Sequence, residues 1–305
     1  MKNLILPSTD LETSEIIHGC MRIANMEIKD AEFLLRTAME NGINFFDHAN
    51  IYGAGRSEET FAKALDMKPE IREKLFIQTK CGIRKGYFDF SKEHILRSVD
   101  ASLERLRTDY VDVLLLHRPD TLMEPEEVAE AFSELENKGK VRHFGISNQN
   151  PGQIALLQKF LDQKLIIDQL QFSLTNTGMI DRGLNVNMEN PPSFDHDGGL
   201  LEYCRLHDIR IQPWSPFQFG YFEGVYLDHP KFKDLNTVLN SIAQEKNISK
   251  EALVIAWMLR HPAKMQPVIG TTNPERLTNI CKASDVAISK KEWYEIYRAA
   301  GNELP

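Results

Sequence analysis

The feature that most constrains this chain is an alternation. Eight short apolar or β-branched runs recur at 16–21, 44–49, 75–80, 111–117, 141–147, 167–172, 209–214 and 266–270, with segments of helical periodicity between them. The centres of these runs are nearly continuous hydrophobics, the pattern of parallel strands covered on both faces. The intervening stretches carry helix signals. Asp30 opens 30–41, which stops at Asn41-Gly42. Ser57 is the expected N-cap of the next helix, with Glu58 and Glu59 favouring its N-terminal dipole. Ser91 heads a segment in which Ile95, Val99, Leu103 and Leu106 share one face. Acids fill the first turn of 124–140, and further helices are expected at 151–160, 198–207, 233–246, 250–261, 274–282 and 289–300.

Eight such units predict a closed (β/α)8 TIM barrel, and 305 residues fit it as one domain spanning 1–305. The open doubly wound alternative requires a glycine-rich phosphate turn after its first strand. No G-x-G-x-x-G is present: Gly53 and Gly55 supply half of it, and Glu58 stands where the third glycine belongs. Two long loops, 173–199 and 215–232, follow the sixth and seventh strands. Both leave strand C-terminal ends, the face on which barrels build their sites.

Composition removes several other classes. Thirty-six basic residues against 44 acidic ones leave a net charge of −8, which argues against a general nucleic-acid surface but leaves room for one basic pocket. No run of 18 apolar residues exists to span a membrane, and the N-terminus has no signal-peptide core. Cys20, Cys81, Cys204 and Cys281 lie 61, 123 and 77 residues apart, without metal-type spacing, and read as reduced thiols of a cytoplasmic protein.

The polar residues that terminate the apolar runs carry the chemistry. Asp47 and His48 close the second strand, with Tyr52 just beyond. Lys80 closes the third and His117 the fourth. Ser147-Asn148 close the fifth, Gln169 lies within the sixth, and Trp214-Ser215 close the seventh. Each alone is ordinarily a loop cap, a solvated lysine or a core tyrosine. Together, in a closed barrel, Asp47, Tyr52, Lys80 and His117 converge at one mouth, where burial costs several kcal/mol per charge unless they pair. An ammonium beside a phenol lowers the phenol pKa, and a carboxylate holds that ammonium in place. With an imidazole to orient a carbonyl, the set suits protonation of a developing alkoxide rather than acyl transfer.

At this point the chain resembles the aldo-keto reductases, of the bacterial YdhF-like oxidoreductase type. The resemblance is carried by FFDHANIYG (45–53), QTKCGI (78–83), LLLHRPD (114–120), GKVRHFGISNQ (139–149), DQLQFS (168–173), QPWSPF (212–217) and VIGTTNPERL (268–277), in family order along the whole chain. It implies NADPH-dependent reduction of an aldehyde or ketone, with Tyr52 as proton donor, Lys80 and Asp47 tuning it, and His117 orienting the carbonyl. Ser147, Asn148 and Gln169 would bind the nicotinamide carboxamide and Trp214 would stack on its ring. The loop with Ser215, Pro216, Phe217 and Gly220 would cover the pyrophosphate. Gly270, Thr271, Thr272 and Arg276 would line the 2′-phosphate end, and Gly19, Cys20 and Met21 the first-strand wall. No metal is required.

This sequence departs from the pattern in places. Gly270 stands where many members have a phosphate-binding lysine, which leaves NADH open beside NADPH. Gly19-Cys20-Met21 replaces a common Gly-Thr-Trp, and the chain ends at Pro305 without a longer tail, so a more open substrate site is expected. An alternative within the same fold is a cofactor-binding regulatory subunit with little turnover, as in potassium-channel β-subunits. Retention of all four catalytic types argues against it. Asp195-His196-Asp197 lacks a fourth ligand, and His48 alternates to the opposite strand face. Cys81 reads as a small buried residue, and Tyr87, Phe88, Phe90, Tyr221 and Phe222 are divided between pocket wall and packing.

Overall fold

A strand that is apolar at every position must be covered on both faces, and here helices cover one face while the barrel interior covers the other. The computed structural model describes all residues from Met1 to Pro305. Eight parallel strands close into a barrel: β1 (Ile17–Gly19), β2 (Phe45–Asp47), β3 (Phe76–Cys81), β4 (Val111–Leu116), β5 (Val141–Ser147), β6 (Leu165–Gln171), β7 (Arg210–Trp214) and β8 (Val268–Ile269), with β8 pairing back onto β1. The fold is the (β/α)8 barrel that the alternation predicts.

Ten helices of seven or more residues accompany it: α1 (Ile28–Glu40), α2 (Arg56–Ala64), α3 (Lys92–Leu106), α4 (Pro125–Asn137), α5 (Pro151–Gln158), α6 (Leu200–Leu206), α7 (Lys233–Lys246), α8 (Lys250–Leu259), α9 (Pro274–Cys281) and α10 (Lys290–Ala299), apart from one in the β6 loop. Side-chain caps start many of them. Ser91 accepts from the His94 N–H, and Asn150 with Gln153 and Ser289 with Glu292 form reciprocal capping boxes. Ser57 is not the cap expected of it. Helix α2 begins two residues earlier, at Arg56 with Gly55 in the cap position, and the buried Ser57 Oγ donates 2.7 Å to the Cys20 carbonyl. None of the helices is long and apolar enough to cross a membrane.

Side chains divide by strand parity. Residues facing the helices join a core of 67 buried residues that includes Phe46, Ile77, Leu114, Leu116 and Ile211. The opposite parity forms a nine-residue cluster with Ile17, Phe45, Val113, Leu115, Ile167 and Val268. Leu6 and Leu11 belong to it too, delivered by an N-terminal hairpin (Asn3–Ile5 with Glu12–Ser14) that the apolar-run count does not include. Two residues further along several of these strands, the same inward face turns polar. Phe45 gives way to Asp47, Leu115 to His117, and Ile167 to Gln169.

The two long loops are not structureless. The segment after β6 contains a short helix (Gly178–Leu184), and the segment after β7 folds into a hairpin pairing Gln218–Phe219 with Gly224–Val225. The β3 exit makes a third hairpin, Ile83–Arg84 with Tyr87–Phe88. Asp195 and Asp197, the acids of the tempting cluster, each lie 3.6 Å from Arg182 Nε, and Glu202 lies 2.5 Å from its Nη2. They cap the turn leading to α6 through the backbone N–H groups of Gly198 and Leu200.

Candidate active site

Strand pairing sets the site. Gly19 pairs with Asp47, Asp47 with Gln78, Lys80 with Leu115, and Gln169 with Ser147, so inward residues of neighbouring strands reach one level at their C-terminal ends. At the centre, Lys80 Nζ donates to both Asp47 oxygens at 2.7 Å and to the His48 carbonyl at 2.8 Å. Its fourth contact is the Tyr52 hydroxyl at 3.2 Å. Lys80 is fully buried and Asp47 nearly so.

Tyr52 is presented by a turn in which three successive residues take positive φ. Gly53 and Gly55 have φ of +59° and +92°, with Ala54 between them at +56°. A Cβ at Gly53 would sit 2.4 Å from the Ala24 methyl. The Tyr52 ring stands edge-on to His117, with centroids 6.0 Å apart.

The electrostatics follow from burial and pairing. Burial alone would lower the Lys80 pKa, but the Asp47 carboxylate, then Tyr52, reverse this and hold the ammonium above its ordinary value. Burial pushes the Tyr52 phenol up; Lys80 opposes and Asp47 adds to it, and the phenol stays above 10. Lys80 lowers this pKa as the sequence leads one to expect, but desolvation of the phenolate outweighs the ammonium, so the net shift is upward. Burial, reinforced by Lys80 and Arg118, holds His117 well below its usual range, so it is a neutral imidazole.

Three glutamines complete the centre. Asp47 Oδ1 also accepts from Gln78 Nε2 at 2.6 Å and Gln169 Nε2 at 3.0 Å, and both amides donate to Gln212 Oε1. Gln78 and Gln212 were absent from the sequence-level set. The signal for both was strand period: Gln78 is two residues before Lys80, and Gln212 two before Trp214, on the same inward face.

From Tyr52 and His117 a cleft of about 580 Å3 runs across the strand ends to Thr271 and Arg276, a size typical of small-molecule and cofactor sites (about 300–1,000 Å3). Twelve of the residues that the resemblance assigns to cofactor binding lie on its wall: Gly19, Met21, Ser147, Asn148, Gln169, Trp214, Ser215, Pro216, Phe217, Gly270, Thr271 and Arg276. Three do not. Cys20 is fully buried behind the wall, its thiol pushed well up by burial, and Gly220 and Thr272 face solvent. Asn148 is held by its neighbours, accepting from Trp214 Nε1 at 3.0 Å and donating to Ser147 Oγ at 2.7 Å. At the far end, Arg276 Nε lies 3.5 Å from Glu251, a wall residue that the motifs do not include.

His48 is buried against Phe61, with its pKa lowered to about 3 by burial, then by Lys80 and His18. Burial, then Asp89, raises Cys81 to about 12. Phe90 is core, whereas Tyr87 and Phe88 are exposed on the β3 hairpin; Tyr221 and Phe222 line the cleft.

A closed barrel with a buried carboxylate–ammonium–phenol cluster at its C-terminal mouth defines an oxidoreductase class, and comparison supplies the family. The model of the Aldo/keto reductase family matches residues 15–300, and the chain belongs to this family, whose members draw on NAD(P)H. Within it the chain is of the bacterial YdhF-like type. It is 36% identical to the uncharacterized oxidoreductase YcsN of Bacillus subtilis (strain 168), covering 97% of each chain. It is 33% identical to the oxidoreductase YdhF of Escherichia coli (strain K12), covering 96% of each. Among solved structures, the thermostable aldo-keto reductase Tm1743, in complex with the inhibitor epalrestat, matches with a TM-score of 0.79 at 25% identity, over 98% of this chain and 100% of that one.

Proposed function

We propose that this oxidoreductase reduces the carbonyl of an aldehyde or ketone with NADPH, Tyr52 giving the proton. The carrying observation is the contact of the Tyr52 hydroxyl with a lysine locked onto Asp47, beside the neutral His117. The wall of the cleft suits a dinucleotide: buried polar atoms without partners, His117 Nδ1 and Gln218 Oε1, belong to it, and a cation stands at its far end. When bound, the reduced nicotinamide supplies the hydride.

The chain's residues do the rest. A phenol raised above 10 remains protonated throughout the physiological range, which a proton donor requires. As negative charge develops on the substrate oxygen, Tyr52 transfers its proton there, and Lys80 at 3.2 Å stabilises the phenolate left behind. His117, unable to carry charge, donates a neutral N–H to the carbonyl oxygen and orients it. Ser147, Asn148 and Gln169 would hold the carboxamide, and Trp214 would offer its face to the ring. Ser215, Pro216 and Phe217, with Gly220 beyond them, would cover the pyrophosphate, and Thr271 and Arg276 would hold the 2′-phosphate. NADH is accepted beside NADPH, since residue 270 is a glycine where many relatives of this pattern carry a lysine. Residues 1–305 act as one domain.

The test follows NADPH absorbance with a panel of aldehydes, including an aryl aldehyde, for wild type and Tyr52→Phe. A loss of about 10²–10⁴ in kcat is expected, with NADPH binding, read by tryptophan quenching, retained. Equal turnover by the variant would refute the role of Tyr52. Binding without turnover in the wild type would refute the reductase reading.

A further inference from the structure

The cleft mouth carries one basic side chain with nothing to pair with. Arg118 follows His117 at the end of β4, half-buried on the cleft wall. Its guanidinium carbon lies 5.6 Å from the Trp214 ring centroid, and its charge helps to keep His117 neutral. It makes no ion pair and no hydrogen bond. The other charged groups of the wall are engaged. Arg22 donates to the Gly270 carbonyl at 3.2 Å, and Arg276 faces Glu251. Asp47 is held by Lys80, and Asp228 by Lys250.

A guanidinium has five N–H donors in a planar fork that matches a carboxylate. Withdrawing it partly from water without a partner is unfavourable, and a cation–π contact at a partly exposed site offsets only part of that cost. The same cleft wall carries the apolar side chains of Met21, Ile51, Ile83, Tyr221 and Phe222. The cleft thus combines a carbonyl-orienting imidazole, an unpartnered cation on the adjacent residue, and apolar wall.

We propose that Arg118 recognises the substrate, and that the substrate class is a carbonyl compound bearing a carboxylate, separated from the reacting carbon by a short aliphatic or aryl spacer. This rests on the carbonyl-reduction reading above. With the carbonyl oxygen at Tyr52 and His117, the next residue of the same strand exit sits one Cα step, about 3.8 Å, along the chain, and its longer side chain reaches the far end of such a molecule. The apolar wall packs the spacer, and the guanidinium takes the carboxylate bidentately.

The experiment uses matched pairs: 4-carboxybenzaldehyde against 4-methylbenzaldehyde, and succinic semialdehyde against butanal. Wild type, Arg118→Gln and Arg118→Lys are assayed with saturating NADPH. The wild type is expected to favour the carboxylate of each pair at least tenfold in kcat/KM, mostly through KM, with the preference shrinking as ionic strength rises. Arg118→Gln abolishes that preference, and Arg118→Lys restores part of it. No carboxylate preference in the wild type overturns the proposal. So does a loss in Arg118→Gln that is equal for both members of a pair, or that tracks a raised KM for NADPH, since Arg118 would then serve the cofactor or the fold.

Binding of benzoate, read by tryptophan fluorescence, keeps the two readings separate. If no aldehyde is turned over, the reductase reading fails. The Arg118 assignment then stands if benzoate binds the wild type and not Arg118→Gln, and falls if it does not bind the wild type.

Discussion

Replacing Asp47 with asparagine tests the buried centre most directly. Every neighbour that the carboxylate contacts is a donor: Oδ1 accepts from Lys80, Gln78 and Gln169, and Oδ2 from Lys80 at 2.7 Å. An amide can serve one oxygen's set, but its NH2 must then face the Lys80 ammonium, donor against donor. Breaking a buried pair by removing one partner costs about 3–5 kcal/mol. Part of it is recovered if Lys80 loses its proton and accepts from the new amide.

That escape has a signed pH signature. In the native protein Lys80 sits above its unfolded value, so its contribution is complete below the unfolded pKa, near 10.4, and is lost only as pH climbs through the folded one. The Lys80 contribution in the wild type is therefore flat between about pH 6 and 9. In Asp47→Asn the largest raising influence is gone, burial dominates, and Lys80 falls below its unfolded value. The unfolded chain then binds more protons than the folded one, and stability rises with pH by up to about 1.4 kcal/mol per unit. Urea unfolding at several pH values between 6 and 9 reads both quantities (approximate range set by the unfolded reference values). A variant within about 1 kcal/mol of wild type at neutral pH, or one whose stability does not change with pH, would refute this account of the centre.

Two further outcomes are expected. At the far end of the cleft, the proposed cofactor placement makes Glu251 a competitor of the 2′-phosphate for Arg276. Since the pair is partly exposed, it is worth about 0–1 kcal/mol, so Glu251→Gln should tighten NADPH by up to about fivefold and leave NADH nearly unchanged in fluorescence titrations. Unchanged NADPH affinity would remove Glu251 from cofactor selection. All four cysteines are buried, and burial raises each thiol pKa, so a thiol reagent at neutral pH should label none of them before unfolding. Rapid modification of the folded protein at Cys20 or Cys81 would contradict the closed packing around the site.

Legibility tracked the range of the interaction responsible. Strands β1 to β8 were visible because buried parallel strands demand apolar residues locally, and Ser91 because a cap bonds only three residues ahead. Ser57 looked like the same signal. Its hydroxyl, however, turns to the Cys20 carbonyl, 37 residues away, a partner that no local pattern reveals. Gln78 was passed over because a glutamine on a strand has no chemistry of its own until Asp47 and Gln212 reach it from other strands. Glu251 was missed for a similar reason: it opens α8, and only the packing of α8 on α9 brings it to Arg276.

By itself, then, the sequence determined the barrel, the level at which its inward face turns from Phe45 to Asp47 and from Ile167 to Gln169, and the residue types gathered there. These depend on hydrophobic period and strand alternation, which are properties of neighbours along the chain. Tertiary structure alone decided which donors share the Asp47 carboxylate, that Arg118 is left without a partner while Arg276 is not, and the direction in which the Tyr52 phenol shifts. The physical reason is that burial and the Lys80 charge push the Tyr52 phenol in opposite directions. Their balance depends on depth and distance across the barrel, here a part-buried hydroxyl on the cleft wall whose desolvation outweighs an ammonium 3.2 Å away.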